Sequence, residues 1–194
     1  MFTSPQPDVE IPDVSVYDFL FASLDDDDLA RIALIDPASG AETTYGQLRA
    51  QVDAFAGALA ARAVGTDTVI ALLCPNVPAF ATVFHGALRA GASVTTINSL
   101  YTAAEIEKQL RDAGATWFVT VSPLLPAASA AADAVGMPRE NVIVLDGAEG
   151  HPSLRDLLGE RHPAPEVVFD PATHIAALPY SSGTTGIPKG VMLS

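Results

Sequence analysis

The segment Tyr180-Ser-Ser-Gly-Thr-Thr-Gly-Ile-Pro-Lys-Gly-Val-Met-Leu-Ser194 is the most informative stretch of this chain. Three glycines let its backbone turn and approach a ligand closely: Gly183, Gly186 and Gly190. Four hydroxyl side chains supply hydrogen-bond donors: Ser181, Ser182, Thr184 and Thr185. Lys189 adds a mobile positive charge, and the backbone amides of such a loop can form a concavity that binds anions. The segment is therefore predicted to be a loop that holds phosphate.

The spacing in this loop differs from that of the Walker A motif. Walker A has four residues between its first glycine and a Gly-Lys pair, followed by Ser or Thr. Here Gly186 stands three residues before Lys189, and Gly190 follows the lysine. The competing interpretation is a Gly/Thr turn between two strands, with a solvated lysine.

The loop resembles the signature phosphate loop of the adenylate-forming superfamily, which includes acyl-CoA synthetases, 4-coumarate–CoA ligases and firefly-type luciferases. The flanking residues Leu178–Ser182 and Gly190–Ser194 resemble the 4-coumarate–CoA ligase and luciferase branch. Three earlier segments resemble the same superfamily: Leu73–Pro78, Ala87–Ala92 and Leu100–Ile106. The resemblance runs from about Tyr17 to Ser194. One departure is Asn98-Ser99, where the family has Asn-Pro; it makes a local turn less rigid and affects no catalytic group.

Composition narrows the class of protein. The chain has 194 residues, 49% of them hydrophobic, which is enough for one domain with a substantial core. Its net charge of −13 argues against nucleic acid or an anionic membrane as a partner. The N-terminal residues Met1–Val14 lack the apolar run of a secretory signal, and no stretch reaches the length of a membrane span. We therefore expect a cytoplasmic protein without a membrane span.

No metal site is predicted in this chain. The four histidines are scattered, and no metal-ligand spacing occurs. The run Asp25–Asp28 is expected to lie solvated in a loop, because adjacent carboxylates repel one another. Cys74 is the only cysteine, so an internal disulfide is excluded, and its apolar surroundings favour a buried structural thiol over a nucleophile.

Helical and strand patterns alternate along the chain, which predicts an α/β fold with a mostly parallel sheet flanked by helices. An N-terminal hairpin is expected from residues 32–35 and 43–45. Capping boxes at Thr44/Gln47 and Thr102/Glu105 mark two helix starts. Further helices are predicted over residues 16–24, 79–90, 125–135 and 153–158. Further strands are predicted over residues 69–73, 93–97, 117–121, 142–145, 173–178 and 191–193, so that the phosphate loop links the last two.

The resemblance implies an N-terminal AMP-binding subdomain over residues 15–194, preceded by a tail of residues 1–14. The rest of the large domain and the C-terminal domain are expected to be absent, so no catalytic residue is assigned here. The implied ATP phosphate ligands are Ser181, Ser182, Gly183, Thr184, Thr185, Gly186 and Lys189. The implied cosubstrates and cofactors are ATP, Mg²⁺ and coenzyme A, with a small carboxylic acid as substrate.

The resemblance implies that the complete protein is an acid–thiol ligase of the acyl-CoA synthetase type, acting on aryl or medium to long acyl acids. Two alternatives stay open at this point. The chain could be a non-catalytic nucleotide-binding or interaction module, or part of a ligase that passes its acyl-adenylate to a carrier protein. The 194-residue chain by itself is expected to be inactive and to self-associate.

Overall fold

The computed structural model describes residues 5–7, 9–181 and 189–194. Its helices are α1 (Val16–Phe21), α2 (Asp26–Ala30), α3 (Tyr45–Ala60), α4 (Pro78–Arg89), α5 (Ala103–Ala113), α6 (Leu125–Val135) and α7 (Leu154–Gly159). Its strands are β1 (Ile32–Ile35), β2 (Glu42–Thr44), β3 (Val69–Leu72), β4 (Ser93–Thr96), β5 (Trp117–Thr120), β6 (Val142–Val144), β7 (Tyr180–Ser181) and β8 (Lys189–Gly190). The predicted α/β class is confirmed, with element ends that differ from the prediction by one to three residues in most cases.

The central sheet has four parallel strands in the order β4-β3-β5-β6. The chain moves from β3 to β4 and then crosses back over β3 to reach β5. Because parallel crossovers are right-handed, this change of direction puts α4 on one face of the sheet and α5 and α6 on the other. The predicted parallel sheet flanked by helices is therefore confirmed.

Apolar side chains are buried on both faces of this sheet. Along β3, Ile70 and Leu72 join a cluster with Phe55 of α3 and Val83 of α4. The intervening Ala71 belongs to a second cluster on the opposite face, which also contains Ile106 and Leu110 of α5 and Ala128 of α6. This alternation follows from the two-residue period of a strand, and it explains why the strands are apolar at nearly every position.

The N-terminal hairpin is also confirmed. Strands β1 and β2 pair antiparallel, and β2 leads directly into α3. The predicted capping box at this junction is present: the Gln47 amide donates to Thr44 Oγ1 at 3.2 Å, and the Thr44 amide donates to Gln47 Oε1 at 2.9 Å. The division between a tail of residues 1–14 and a subdomain from residue 15 stays a prediction.

The segment Ala87–Ala92 joins α4 to β4 and packs against α3 and residues 165–167. Arg89 donates to the Pro165 carbonyl at 2.9 Å and lies 3.4 Å from Oδ1 of Asp53 on α3. Gly91 has a φ of +86°, and a Cβ atom there would lie 2.7 Å from Cγ1 of Val167. Only glycine satisfies both the left-handed backbone and this close packing.

Two predicted strands near the phosphate loop were wrong in extent. In the segment Thr173–Leu178, the amides of Thr173 and His174 both bond to the Asp170 carbonyl, so the first residues form a turn. Only Ala177 makes bridges there, to Val94 and to Leu193. The strand leaving the loop is β8, two residues earlier than the predicted 191–193. An apolar run does not reveal that its first amides already have local partners.

The acidic run Asp25–Asp28 lies in a helix rather than in the predicted loop. The Asp25 side chain accepts a hydrogen bond from the Asp28 amide at 2.9 Å and caps α2, whose first turn contains the other three carboxylates. The unsatisfied amides and the macrodipole at a helix N-terminus favour negative charge, which offsets the mutual repulsion. Asp28 also forms an exposed ion pair with Arg31 at 3.1 Å.

Candidate functional site

The phosphate loop predicted from the sequence begins and ends on a paired stem. Strands β7 and β8 are antiparallel, with Tyr180 opposite Gly190 and Ser181 opposite Lys189. The structure thus brings two of the predicted phosphate ligands, Ser181 and Lys189, to the same end of the stem, where both are exposed. The other five predicted ligands lie outside the described residues: Ser182, Gly183, Thr184, Thr185 and Gly186. The prediction that the loop links two strands agrees with this stem.

The side chain of Lys189, at the C-terminal end of the predicted loop, is exposed and can meet an anionic ligand. It forms no ion pair with any carboxylate among residues 5–7, 9–181 and 189–194. Lys189 is one of only two lysines in a chain of net charge −13. It can bind phosphate oxygens without first breaking an internal ion pair.

Gly190 has a packing role that the sequence did not indicate. The aromatic ring of Tyr180 lies against it across the stem, and a Cβ atom at residue 190 would lie 3.1 Å from the ring carbon Cζ. The sequence predicts that Gly190 lets the backbone bend and come close to a ligand. In the structure the close neighbour is a side chain of the opposite strand.

Tyr180 links the stem to helix α5. Its hydroxyl donates a hydrogen bond of 2.5 Å to Oδ2 of Asp112, near the end of that helix. Burial, together with the hydrogen bond to Asp112 and the negative charge of Asp112, raises the pKa of the Tyr180 phenol. The phenol therefore stays protonated at neutral pH and continues to donate.

The chain that enters the stem is bound to the edge strand β4. The Val94 amide donates to the Ala176 carbonyl at 3.0 Å, and the Leu178 amide donates to the Val94 carbonyl at 2.8 Å. The Thr95 hydroxyl donates to the Leu178 carbonyl at 2.8 Å. Thr95 in turn accepts a hydrogen bond of 2.9 Å from Nε2 of Gln109 on α5, whose Nε2 also donates to the Thr96 carbonyl at 3.0 Å.

The chain that leaves the stem returns along the same path. The Val191 amide donates to the Pro179 carbonyl at 2.9 Å, and the Leu193 amide donates to the Ala177 carbonyl at 3.0 Å. The loop therefore stands on two antiparallel legs, one of which is attached to the parallel sheet. This arrangement attaches the two ends of the predicted phosphate loop to the parallel sheet.

The sequence profile of the AMP-binding enzyme family matches residues 25–194. The chain belongs to this family. Its resemblance to the adenylate-forming superfamily is thereby confirmed, and the matched range includes the hairpin, the parallel sheet and the candidate site.

Relatives of this AMP-binding chain include coenzyme A ligases. It is 39% identical over 197 residues to 4-coumarate–CoA ligase 5 of Oryza sativa subsp. japonica, with 100% of this chain and 35% of that protein covered. It matches the crystal structure of the anthranilate CoA ligase AuaEII in complex with anthranoyl-AMP, with a TM-score of 0.83, 27% identity and coverage of 94% and 35%. For ATP-bound MatB from Rhodopseudomonas palustris the TM-score is 0.77, with 29% identity and coverage of 94% and 35%.

The AMP-binding chain thus spans about a third of the length of the curated relatives that it matches, 35% of the rice ligase. The comparisons support an α/β ligase fold and the class of the relatives.

The remaining candidate groups have structural surroundings. Burial, with the nearby charge of Asp146, raises the pKa of the Cys74 thiol to about 11, which fits a structural thiol rather than a thiolate nucleophile. Among the described residues, no group of three or more His, Cys, Asp or Glu side chains is arranged to hold a metal ion. In the same part of the chain, no helix is long and apolar enough to cross a membrane.

Four residues in or near the stem were not predicted to be site residues: Thr95, Gln109, Asp112 and Tyr180. Gln109 gave a usable signal, because it lies between Ile106 and Leu110 on the buried face of an amphipathic helix, where an amide needs a partner. The Tyr180–Asp112 contact joins residues 68 positions apart and has no local signature.

Proposed function

We propose that this chain is the N-terminal part of an ATP-dependent carboxylate–CoA ligase. The observation that carries the proposal is the paired stem, in which the exposed residues Ser181 and Lys189 lie opposite each other at the two ends of the predicted phosphate loop. The match to the AMP-binding enzyme family and the 39% identity to a 4-coumarate–CoA ligase support the reaction class.

The proposed reaction has two steps. A carboxylate oxygen of the acid forms a bond to the α-phosphorus of ATP, the bond from that phosphorus to the β-phosphate oxygen breaks, and pyrophosphate leaves with the electron pair. The thiol sulfur of coenzyme A then bonds to the acyl carbon, AMP leaves with the acyl–oxygen bond electrons, and the thiol proton is released. Because a carboxylate already carries its nucleophilic charge, catalysis depends on positioning and on charge stabilisation.

In this proposal the loop holds the β- and γ-phosphates and steers pyrophosphate as it leaves. Lys189 supplies the positive charge at the C-terminal end of the loop, and Ser181 supplies a hydroxyl donor at the N-terminal end. The proposed ligands between them are Ser182, Gly183, Thr184, Thr185 and Gly186. Lys189 matters more in this chain than in a basic protein, because the net charge of −13 repels a polyphosphate at long range.

Mg²⁺ is part of the proposal as the countercharge to the ATP phosphates. We assign it no ligand in this chain, because the superfamily's magnesium glutamate belongs to a later motif. The proposed location is the cytoplasm, where ATP and coenzyme A are both available.

Acid-dependent ATP–pyrophosphate exchange tests the first step. The complete protein that contains this chain is incubated with ATP, magnesium, labelled pyrophosphate and a panel of aryl and medium to long fatty acids. Exchange with at least one acid is expected. A folded complete protein that exchanges with none of them would contradict the assignment and favour a non-catalytic nucleotide-binding module.

The acceptor is tested separately. Product formation is followed with coenzyme A present and absent, for an acid that supports exchange. Release of a thioester of coenzyme A is expected. Accumulation of acyl-adenylate that coenzyme A does not consume, but that a carrier protein with its thiol arm does, would favour the carrier-protein alternative.

A further inference from the structure

Helix α5 is linked to the phosphate-loop stem and to the chain that enters it by two side chains on the same side of the helix. Gln109 and Asp112 are three residues apart, a spacing that puts side chains next to each other on a helix surface. Gln109 acts through Thr95 on the carbonyl of Leu178, and Asp112 accepts the hydroxyl of Tyr180. We call these four side chains, Thr95, Gln109, Asp112 and Tyr180, the α5 relay.

In the buried half of the α5 relay, the hydrogen bonds run in one direction, from Gln109 through Thr95 to Leu178. Thr95 is 0% exposed and Gln109 is 4% exposed, so neither can exchange its partners for water. Nε2 of Gln109 donates to both the Thr95 hydroxyl and the Thr96 carbonyl, which fixes the plane of the amide. Because the Thr95 oxygen accepts from Gln109, its own proton is directed to the Leu178 carbonyl at 2.8 Å. Leu178 is therefore held in one place, two residues before the stem.

The second half of the α5 relay reaches both strands of the stem. Asp112 holds the Tyr180 hydroxyl, and Tyr180 is the first residue of β7. The ring of Tyr180 lies against Gly190, which is the last residue of β8. Asp112 of α5 is thus linked through Tyr180 to the residues next to Ser181 and Lys189.

We propose that the α5 relay is a positioning device for ATP: it sets the place and direction of the phosphate-loop stem relative to the parallel sheet. The inference rests on the proposed function, in that the ligand to be positioned is the ATP polyphosphate. None of the four side chains is proposed to touch the reacting atoms. Their effect reaches ATP through Ser181 and Lys189.

Thr95→Val tests the buried half of the relay, because it replaces the hydroxyl by a methyl group of the same shape. The acceptor of one Gln109 hydrogen and the donor to Leu178 are both lost. Thr95→Ser is the rescue variant, since it keeps the hydroxyl. Thr120→Val is the matched control: Thr120 is also 0% exposed and ends strand β5 of the same sheet, but its hydroxyl has no hydrogen-bond partner among the described residues.

The first measurement is ATP–pyrophosphate exchange by the complete protein, with KM determined separately for ATP and for the acid. Thr95→Val is expected to raise the KM for ATP or lower kcat at saturating ATP, with a combined loss of about tenfold in kcat/KM for ATP. The KM for the acid should stay unchanged. Thr95→Ser should restore most of the loss, and Thr120→Val should match the wild type.

The second measurement is amide hydrogen exchange of the same proteins by mass spectrometry. Peptides that cover residues 176–181 and 189–194 should exchange about tenfold faster in Thr95→Val than in Thr120→Val. Peptides from β3 and β5 should be unchanged. Asp112→Ala and Tyr180→Phe should give a smaller acceleration in the same two peptides, because the Tyr180–Asp112 contact is partly exposed.

The outcomes separate the two proposals. Faster amide hydrogen exchange in the stem peptides, together with a loss of kcat/KM for ATP, supports positioning by the α5 relay. Unchanged hydrogen exchange in these peptides overturns it. Faster hydrogen exchange with an unchanged kcat/KM for ATP overturns it as well. A wild-type protein without any ATP–pyrophosphate exchange overturns the proposed function and with it the positioning of ATP, while the hydrogen-exchange arm still decides whether α5 holds the stem.

Discussion

Ser181 pairs with Lys189 across the antiparallel stem, although seven residues separate them in the chain. This pairing places a hydroxyl and an ammonium group at the two ends of one loop. The loop thus has a defined base on the described part of the chain, and its base is attached to the edge of a parallel sheet.

Replacing Lys189 by Ala in the complete protein is expected to lower the rate of adenylate formation roughly a hundredfold or more, because a preorganised phosphate donor is lost. The chain contains one other lysine, Lys108 on α5, which is also exposed. Lys108→Ala has the same charge change and is expected to keep wild-type activity. Initial rates of ATP–pyrophosphate exchange for both variants make the comparison.

The melting temperature of the Lys189 variant should match that of the wild type, since the side chain is exposed and forms no ion pair with the described carboxylates. Equal rates in Lys189→Ala and the wild type would show that this loop does not hold the phosphates. A large fall in melting temperature would support the alternative of a structural turn. Thr184→Ala is expected to behave as Lys189→Ala does.

Gly190→Ala is expected to displace the Tyr180 ring, because the added methyl group would lie 3.1 Å from Cζ. Movement of the ring breaks its hydrogen bond to Asp112, at a cost of about 1 kcal/mol in the free energy of unfolding. A double-mutant cycle with Tyr180→Ala, followed by urea unfolding, measures the coupling. Removing the ring should abolish most of the cost of Gly190→Ala. Additive losses would mean that the ring and the glycine do not interact.

His85 is expected to make stability depend on pH near neutrality. Its ring makes edge contacts with Phe21 and Phe84, its buried Nδ1 has no hydrogen-bond partner in the described part of the chain, and burial lowers its pKa below the ordinary 6.5. Between the lowered folded pKa and 6.5, the unfolded chain binds more protons than the folded one. Stability therefore falls as the pH drops below about 6.5 and stops falling once the pH is below the folded pKa.

The measurement is urea unfolding of wild type and His85→Gln from about pH 7.5 to about pH 5.5, above the range in which carboxylates titrate. The wild type should lose more stability over this interval than the variant does. His151→Gln is a control, because His151 lies beside the edge strand β6, where its Nδ1 is 2.9 Å from the Val142 carbonyl. Equal pH slopes in wild type and His85→Gln would contradict the prediction.

The 194-residue chain alone is expected to form no acyl-adenylate and to bind ATP weakly, because it spans 35% of the length of a ligase relative and carries a net charge of −13. Adenylate formation by the isolated chain is the measurement, and turnover at an enzymatic rate would contradict this expectation.

The isolated chain is also expected to self-associate through apolar side chains at its end, where Met192 is 72% exposed and Leu193 is 47% exposed. Light scattering over a concentration series measures the mass, and Met192→Ser should reduce the association. A monomer at every concentration would contradict the expected self-association.

The sequence determined the elements whose stabilising contacts are local. The capping boxes at Thr44/Gln47 and Thr102/Glu105 join residues three positions apart, so the hydrogen bonds that start α3 and α5 can be read directly. The left-handed glycines that end α5 and α6, Gly114 and Gly136, are equally local signals. The phosphate-loop motif is also continuous in the chain, which is why its likeness to the adenylate-forming superfamily was visible without a structure.

Only the tertiary structure decided which distant groups meet. The order of strands, with β4 at the edge and β3 inside, places β4 beside the chain that enters the loop. It also brings α5 close to that chain, so that Gln109 is linked through Thr95 to Leu178, and Asp112 accepts the Tyr180 hydroxyl. The same geometry limited the predicted strand at 173–178 to one bridging residue, Ala177. Local sequence specifies hydrogen bonds between neighbours, whereas partners about seventy residues apart are fixed by the packing of the whole sheet.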